Sequence, residues 1–105
     1  IREAPALYMI DKLLAAGAAV TAFDPEAMEN VKRKLGDKIQ YANTHHEAAE
    51  NADALLICTE WNVFRNPNFD NLKIALKRNV IFDGRNIYNA KDMAALGFDY
   101  YSIGR

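Results

Sequence analysis

The sequence predicts an α/β fold with a Rossmann-like, doubly wound parallel sheet. Helical and strand patterns alternate from one end of the 105 residues to the other. Five strand-like segments are separated by helical segments of about 8 to 14 residues, which is the spacing of βαβ units. One segment, ADALLICT (52–59), is apolar almost throughout, as strands are when helices cover both faces of a parallel sheet.

The first predicted element is a helix. Leu7, Ile10 and Leu14 recur at i, i+3 and i+7, so they share one face of that helix. Pro5 suits the first helical turn, and Gly17 suits the cap at the carboxyl end.

The elements that follow keep the alternation. Residues 18–23 (AAVTAF) are predicted as a strand, and Asp24 with Pro25 is predicted to cap and begin the helix EAMENVKRKLG. A short strand is predicted at 39–41. Thr44 precedes a glutamate by three positions, which is typical of a capping box and predicts another helix start.

The second half of the chain completes the pattern. A loop follows the apolar strand and leads to a predicted helix at 68–78. The remaining predictions are a strand at 80–82, a helix at 89–97 and a last strand at 98–104.

The order of these elements predicts that a strand is missing. A Rossmann-like sheet has the strand order 3-2-1-4-5-6, with its first strand at the centre. This chain opens with a helix, so its five predicted strands correspond to strands two to six. An empty slot would expose backbone donors and acceptors on two edges. We therefore expect 1–105 to be a single domain truncated at its N-terminus, or a domain whose slot another chain fills.

Composition excludes several classes of protein. The net charge of −1 gives no electrostatic indication of nucleic-acid binding, and no basic run suggests a membrane surface. The apolar runs are far shorter than the roughly 20 residues of a membrane span. The single cysteine excludes an internal disulfide framework and indicates a reducing compartment. We therefore expect a soluble, cytoplasmic protein.

The stretch VIFDGRN (80–86) contains the strongest candidate for a binding residue. Asp83 and Gly84 are predicted to form a turn, which places Arg85 just beyond the carboxyl end of a strand. A guanidinium held there is suited to bidentate binding of a phosphate or carboxylate. The alternative is a surface arginine paired with Asp83 or with a helix end, and the residues alone leave both open.

Two further segments have a functional and a structural interpretation. Asp24 ends the second strand of the fold, where an acid often binds a ribose hydroxyl, but it is also a good helix cap. Thr59, Glu60 and Trp61 follow the apolar strand, where they would line a cleft. Alternatively, Trp61 and Phe64 cover a sheet edge or an interface between domains.

Other chemically notable residues favour a structural interpretation. His45 and His46 are adjacent on a predicted helix, so they supply no chelating face, and a solvated helix start is favoured over a metal site. Cys58 lies within an apolar strand and is predicted to be a small core residue rather than a nucleophile. No metal site is predicted.

Several stretches together resemble the C-terminal, UDP-binding domain of the UDP-glucose/GDP-mannose dehydrogenase family. They follow the family's order and span nearly the whole chain: IREAPALYMIDKLLAAGA, AFDPEAMENVK, ADALLICTEWNVFR, VIFDGRNIYN and LGFDYYSIGR. The combination of TEW, FDGRN and a terminal YYSIGR is specific, although no one of these motifs is decisive.

The resemblance implies an enzyme that oxidises the C6 hydroxymethyl of UDP-glucose to a carboxylate with two NAD per turnover, through intermediates on a cysteine. It implies that Arg85 contacts the UDP-sugar and that Arg2, in the RE(S/A)P motif, faces the NAD cofactor. The catalytic cysteine belongs to the family's N-terminal and central regions, and Cys58 does not match its motif. The resemblance implies that those regions are the partners of this domain, within a homodimer. It also implies that the strand missing from this chain precedes the RE(S/A)P motif in the family.

The residues alone leave two other functions open. One is a truncated NAD-binding Rossmann domain that uses Asp24. The other is a non-catalytic interaction module whose sheet edge and Trp61 surface serve assembly.

Overall fold

The computed structural model describes residues 3–58 and 66–102. The chain divides into two compact units, Ile1–Ala48 and Ala49–Arg105. Among the described residues, no helix is long and apolar enough to cross a membrane.

The first unit contains a two-stranded parallel sheet. Thr21 lies opposite Gln40 and Ala22 lies opposite Tyr41. Its elements are α1 (Glu3–Ala15), β1 (Thr21–Ala22), α2 (Met28–Leu35), a 3₁₀ turn (Gly36–Lys38) and β2 (Gln40–Tyr41), with α3 (His45–Ala49) at the boundary.

The second unit contains a three-stranded parallel sheet of order β3-β4-β5. Asp83 at the end of β4 lies between Ile57 of β3 and Ser102 of β5. The elements of this unit are β3 (Leu55–Ile57), α4 (Phe69–Ala75), β4 (Val80–Asp83), α5 (Ala90–Ala95) and β5 (Asp99–Ser102).

The predicted α/β class with parallel strands is confirmed. Each predicted strand segment contains a strand, but most are shorter than predicted, and 18–23 contributes only Thr21–Ala22. The helix predicted to begin at Thr44 runs from His45 to Ala49, and Asn51, two residues later, adopts a left-handed φ of 59°. The strands form two sheets. One continuous sheet with a missing central strand therefore stays a prediction.

Alternation along β4 places the core on one face of the three-stranded sheet. Ile81 is completely buried, whereas Phe82 is 45% exposed and stacks on Tyr101 of the next strand. Helices α4 and α5 contribute Leu72 and Met93 to the buried side. The core cluster consists of Ala49, Ile57, Leu72, Leu76, Ile81, Tyr88, Met93 and Phe98.

Glycine ends two helices with the same hydrogen-bond pattern. At the end of α5, Gly97 has a φ of 94°, its N–H donates to the Ala94 carbonyl, and the Phe98 N–H donates to the Met93 carbonyl. Gly17 ends α1 with a φ of 91° and the equivalent pair of bonds, as predicted for a carboxyl-terminal cap. These are Schellman motifs, which need a residue that tolerates positive φ.

We expect Gly97→Ala to destabilise the protein more than Gly17→Ala. Both substitutions strain a left-handed residue, at a cost of roughly 1–2 kcal/mol. A Cβ at Gly97 would also lie 3.0 Å from Lys73 Nζ, which donates to the Leu96 carbonyl, whereas a Cβ at Gly17 meets nothing within 4 Å. Urea denaturation of both variants measures the difference. Equal losses would show that the Lys73 contact contributes nothing.

Candidate functional site

Arg85 lies at the carboxyl edge of the three-stranded sheet. It follows β4 by two residues, and the Gly84 N–H donates to the Ile57 carbonyl at 2.9 Å, which continues the pairing with β3 beyond Asp83. The Arg85 side chain is exposed. Because β4 ends at Asp83, the predicted placement of Arg85 beyond a strand end is confirmed. Open α/β sheets bind ligands at this edge.

The Asp83 carboxylate organises the loop that carries Arg85. Asp83 is only 1% exposed, yet both of its oxygens are used. Oδ1 accepts from the Arg85 N–H at 3.0 Å, and Oδ2 accepts from the N–H groups of Ile87 at 2.8 Å and Tyr88 at 3.1 Å. A buried carboxylate is tolerated only with such partners. Asp83 therefore connects the strand end to the following loop.

A tyrosine from the neighbouring strand completes this arrangement. The Tyr100 hydroxyl lies 2.6 Å from Asp83 Oδ2 and 3.1 Å from the Tyr88 carbonyl oxygen. A hydroxyl carries one proton, and the shorter distance to a carboxylate marks Asp83 as its main acceptor. Burial raises the pKa of the Tyr88 phenol, and the nearby Asp83 and Tyr100 raise it further. Tyr88 is therefore a neutral core residue rather than a proton donor or acceptor for chemistry.

The backbone of the loop contains one unusual residue. Asn86 has a φ of 55°, a left-handed conformation that asparagine tolerates better than most side chains. The sequence assigned the turn to Asp83 and Gly84, whereas the structure shows that Asn86 also takes part in it. The Asp83 hydrogen bonds to residues on both sides of Asn86 hold it in this conformation.

Asp24 lies beside an open pocket at the carboxyl ends of β1 and β2. Its Oδ1 accepts from the N–H groups of Glu26 at 2.7 Å and Ala27 at 2.9 Å. These bonds stabilise the turn at 25–27, so Asp24 has a structural role. The predicted helix start at Pro25 is wrong, because α2 begins at Met28 with Ala27 as its N-cap. The pocket has a volume of about 450 Å³ and is lined by Phe23, Asp24, Pro25, Met28, Lys32, Tyr41, Ala42 and Asn43.

The contacts of Cys58, His45 and His46 favour structural roles over nucleophilic catalysis or metal binding. Cys58 is half-buried, and burial raises the pKa of its thiol, which disfavours a thiolate nucleophile. The rings of His45 and His46 lie with centroids 4.2 Å apart and planes tilted by 53°. Burial and the neighbouring His46 lower the pKa of His45. Both are half-buried, so this helix start is less solvated than predicted. Within 3–58 and 66–102, no cluster of three or more ligand side chains suits a metal ion.

The other predicted residues cannot be placed. Arg2 and the segment with Thr59, Glu60, Trp61 and Phe64 lie outside the described residues. Sequence reasoning also missed Tyr100, the fourth donor to Asp83. The available signal was alternation along β5, which places Tyr100 on the same face as the buried Ile81 opposite it.

Comparison with known proteins decides the family. A model of the UDP binding domain of the UDP-glucose/GDP-mannose dehydrogenase family matches residues 1–90. The chain belongs to this family. It is 49% identical over 105 residues to a UDP-glucose 6-dehydrogenase of Rhizobium meliloti (strain 1021), and 40% identical over 105 residues to UDP-glucose 6-dehydrogenase TuaD of Bacillus subtilis (strain 168).

The dehydrogenases that this chain resembles are longer proteins. All of the chain is matched in both cases, but it covers only 24% and 23% of those relatives. A solved structure of a UDP-D-ManNAc dehydrogenase from Pyrococcus horikoshii is similar, with a TM-score of 0.55 and 18% sequence identity. The match covers 99% of this chain and 31% of the dehydrogenase chain. This likeness supports the fold alone. The predicted membership of the UDP-glucose/GDP-mannose dehydrogenase family is confirmed.

Proposed function

We propose that this chain is the C-terminal UDP-binding domain of a UDP-glucose 6-dehydrogenase, and that Arg85 binds the diphosphate of the UDP-sugar. The observation that carries the proposal is the Arg85 loop, whose backbone is bonded to a buried carboxylate at the ligand-binding edge of the sheet. The match to a UDP binding domain supports UDP as the ligand. A guanidinium offers paired N–H donors that suit two phosphate oxygens.

The full enzyme is proposed to oxidise UDP-glucose to UDP-glucuronate with two NAD. The names of its relatives support a dehydrogenase. Covalent capture on a cysteine would retain the aldehyde between the two oxidations. Cys58 does not suit that role, because its thiol is half-buried and its pKa is raised. The catalytic cysteine is therefore proposed to belong to the N-terminal and central regions of a cytoplasmic homodimer.

The candidate ribose-binding acid, Asp24, already has a structural role. Asp24 is the acid at a position that often binds ribose, but its Oδ1 already accepts two backbone N–H bonds in the turn before α2. NAD is therefore proposed to bind mainly to the N-terminal domain. Arg2, which lies outside the described residues, is proposed to face NAD across the cleft between domains.

Titration of the full-length protein with UDP tests the role of Arg85. We expect Arg85→Ala to weaken UDP binding by about 1.5–3 kcal/mol, the range for hydrogen bonds to charged groups. This corresponds to an increase in Kd of roughly 10- to 150-fold. Arg78→Ala is the matched control, because it removes the same charge from an exposed residue before the amino end of β4. An unchanged Kd for Arg85→Ala would defeat the assignment.

Two other results would favour the competing functions. Loss of NAD binding in Asp24→Asn, with UDP binding intact, would favour a truncated NAD-binding Rossmann domain. Dissociation of the oligomer in Trp61→Ala, with no binding of either ligand, would favour an interaction module.

A further inference from the structure

We propose that Tyr100 is a positioning residue for Arg85. Its hydroxyl acts through the Asp83 carboxylate to hold residues 84–88 in their binding conformation before UDP arrives. This inference rests on the proposed role of Arg85 and assigns a function to a side chain on a different strand.

The sheet register explains how Tyr100 reaches the loop. Tyr100 pairs with Ile81 on β4, two residues before Asp83, and both side chains point to the buried face. From this diagonal position its hydroxyl lies 2.6 Å from Asp83 Oδ2. Diagonal neighbours on one sheet face are within reach of long aromatic side chains. The contact therefore follows from strand pairing and joins residues 17 positions apart.

The carboxylate transmits this contact to the loop. Oδ2, which accepts from Tyr100, also accepts from the N–H groups of Ile87 and Tyr88, while Oδ1 accepts from the Arg85 N–H. Asp83 is 1% exposed, so the carboxylate that accepts these bonds is shielded from solvent, and hydrogen bonds to a charged group are the strong ones. Without Tyr100, the carboxylate loses the side-chain donor that fixes its orientation. The loop amides then lose their fixed acceptor.

A preformed loop lowers the cost of binding. The exposed Arg85 side chain loses conformational freedom when it binds a diphosphate, and a mobile backbone beneath it would add to that loss. The Asp83 bonds order the backbone in the free protein. We therefore expect Tyr100 to affect UDP affinity only while Arg85 is present.

A double-mutant cycle tests this dependence in the full-length protein, with UDP as the titrant. Tyr100→Phe removes only the hydroxyl and is expected to raise the Kd for UDP about tenfold. In an Arg85→Ala background, the same substitution is expected to change the Kd less than twofold. Tyr101→Phe is the matched control, since Tyr101 is 56% exposed on the opposite face of β5 and should leave the Kd unchanged.

The outcomes separate this proposal from the proposed function. If Arg85→Ala weakens UDP binding but Tyr100→Phe does not, the positioning role is overturned and the binding role stands. Additive effects of the two substitutions would also overturn it, because Tyr100 would then act independently of Arg85. If Arg85→Ala changes nothing, the binding role itself fails and the positioning role fails with it.

Hydrogen exchange of the wild-type protein provides a test that does not depend on a variant folding. The amides of Arg85, Ile87 and Tyr88 donate to Asp83, so we expect them to be protected before UDP is added. Protection that develops only with UDP would overturn the proposal of a preformed loop.

Discussion

Replacing Asp83 with alanine is expected to lower the free energy of unfolding by about 3–5 kcal/mol. The substitution removes the acceptor for three backbone N–H groups and the Tyr100 hydroxyl, all at a position that is 1% exposed. A buried donor without a partner costs about 1–3 kcal/mol. Water entering the vacated space would satisfy part of this loss. Urea denaturation of the wild type and variant measures the change.

Asp99→Ala is the control for this prediction. Asp99 is an exposed carboxylate on the neighbouring strand, so its removal makes the same change in charge. Surface substitutions of this kind usually change stability by less than about 0.5 kcal/mol. If Asp83→Ala were no more destabilising than Asp99→Ala, the hydrogen bonds to the carboxylate would not organise the loop.

The second large effect is expected from Leu72→Ala, at about 2–5 kcal/mol of destabilisation. Leu72 is 1% exposed in the middle of α4 and belongs to the core cluster with Ile57, Ile81 and Met93. Truncation removes apolar contacts and leaves a cavity that its neighbours fill only in part. The cost depends on how far the surrounding core collapses, and urea denaturation measures it.

The same helix supplies a matched control. Ile74 is 83% exposed two positions after Leu72, so Ile74→Ala removes an aliphatic side chain that the core does not use. Alanine is also the better helix former. We expect Ile74→Ala to leave stability unchanged or slightly higher. Similar losses at both positions would contradict the burial of one face of α4.

Local signals in the sequence predicted the ends of several elements correctly. Gly17 ends α1 with a positive φ, whereas Asp24 stabilises the turn before α2 and the helix begins at Met28 rather than Pro25. Thr44 caps the next helix, since its Oγ1 accepts from the Glu47 N–H at 3.0 Å, while Glu47 Oε1 accepts from the Asn43 N–H at 3.2 Å. These features depend on residues within a few positions of one another, so a short stretch of sequence contains all of their partners.

The same local reasoning overestimated strand lengths. Residues 52–59 read as one continuous strand, but only Leu55–Ile57 form one among the described residues. Apolar character indicates burial, whereas strand length depends on how far a neighbouring strand continues the pairing. On β3 the paired residues are Leu55–Ile57, which lie opposite Ile81–Asp83 of β4.

The sequence by itself determined the α/β class, the parallel strands, the position of Arg85 beyond a strand end and the family of the protein. These properties lie in periodicity, caps and motifs that are readable along the chain. Only the tertiary structure decided that Asp83 holds the Arg85 loop and that Tyr100 supports Asp83. The physical reason is strand register. The pairing of β4 with β5 places the Tyr100 hydroxyl 2.6 Å from the buried Asp83 carboxylate, although the two residues are 17 positions apart in the sequence.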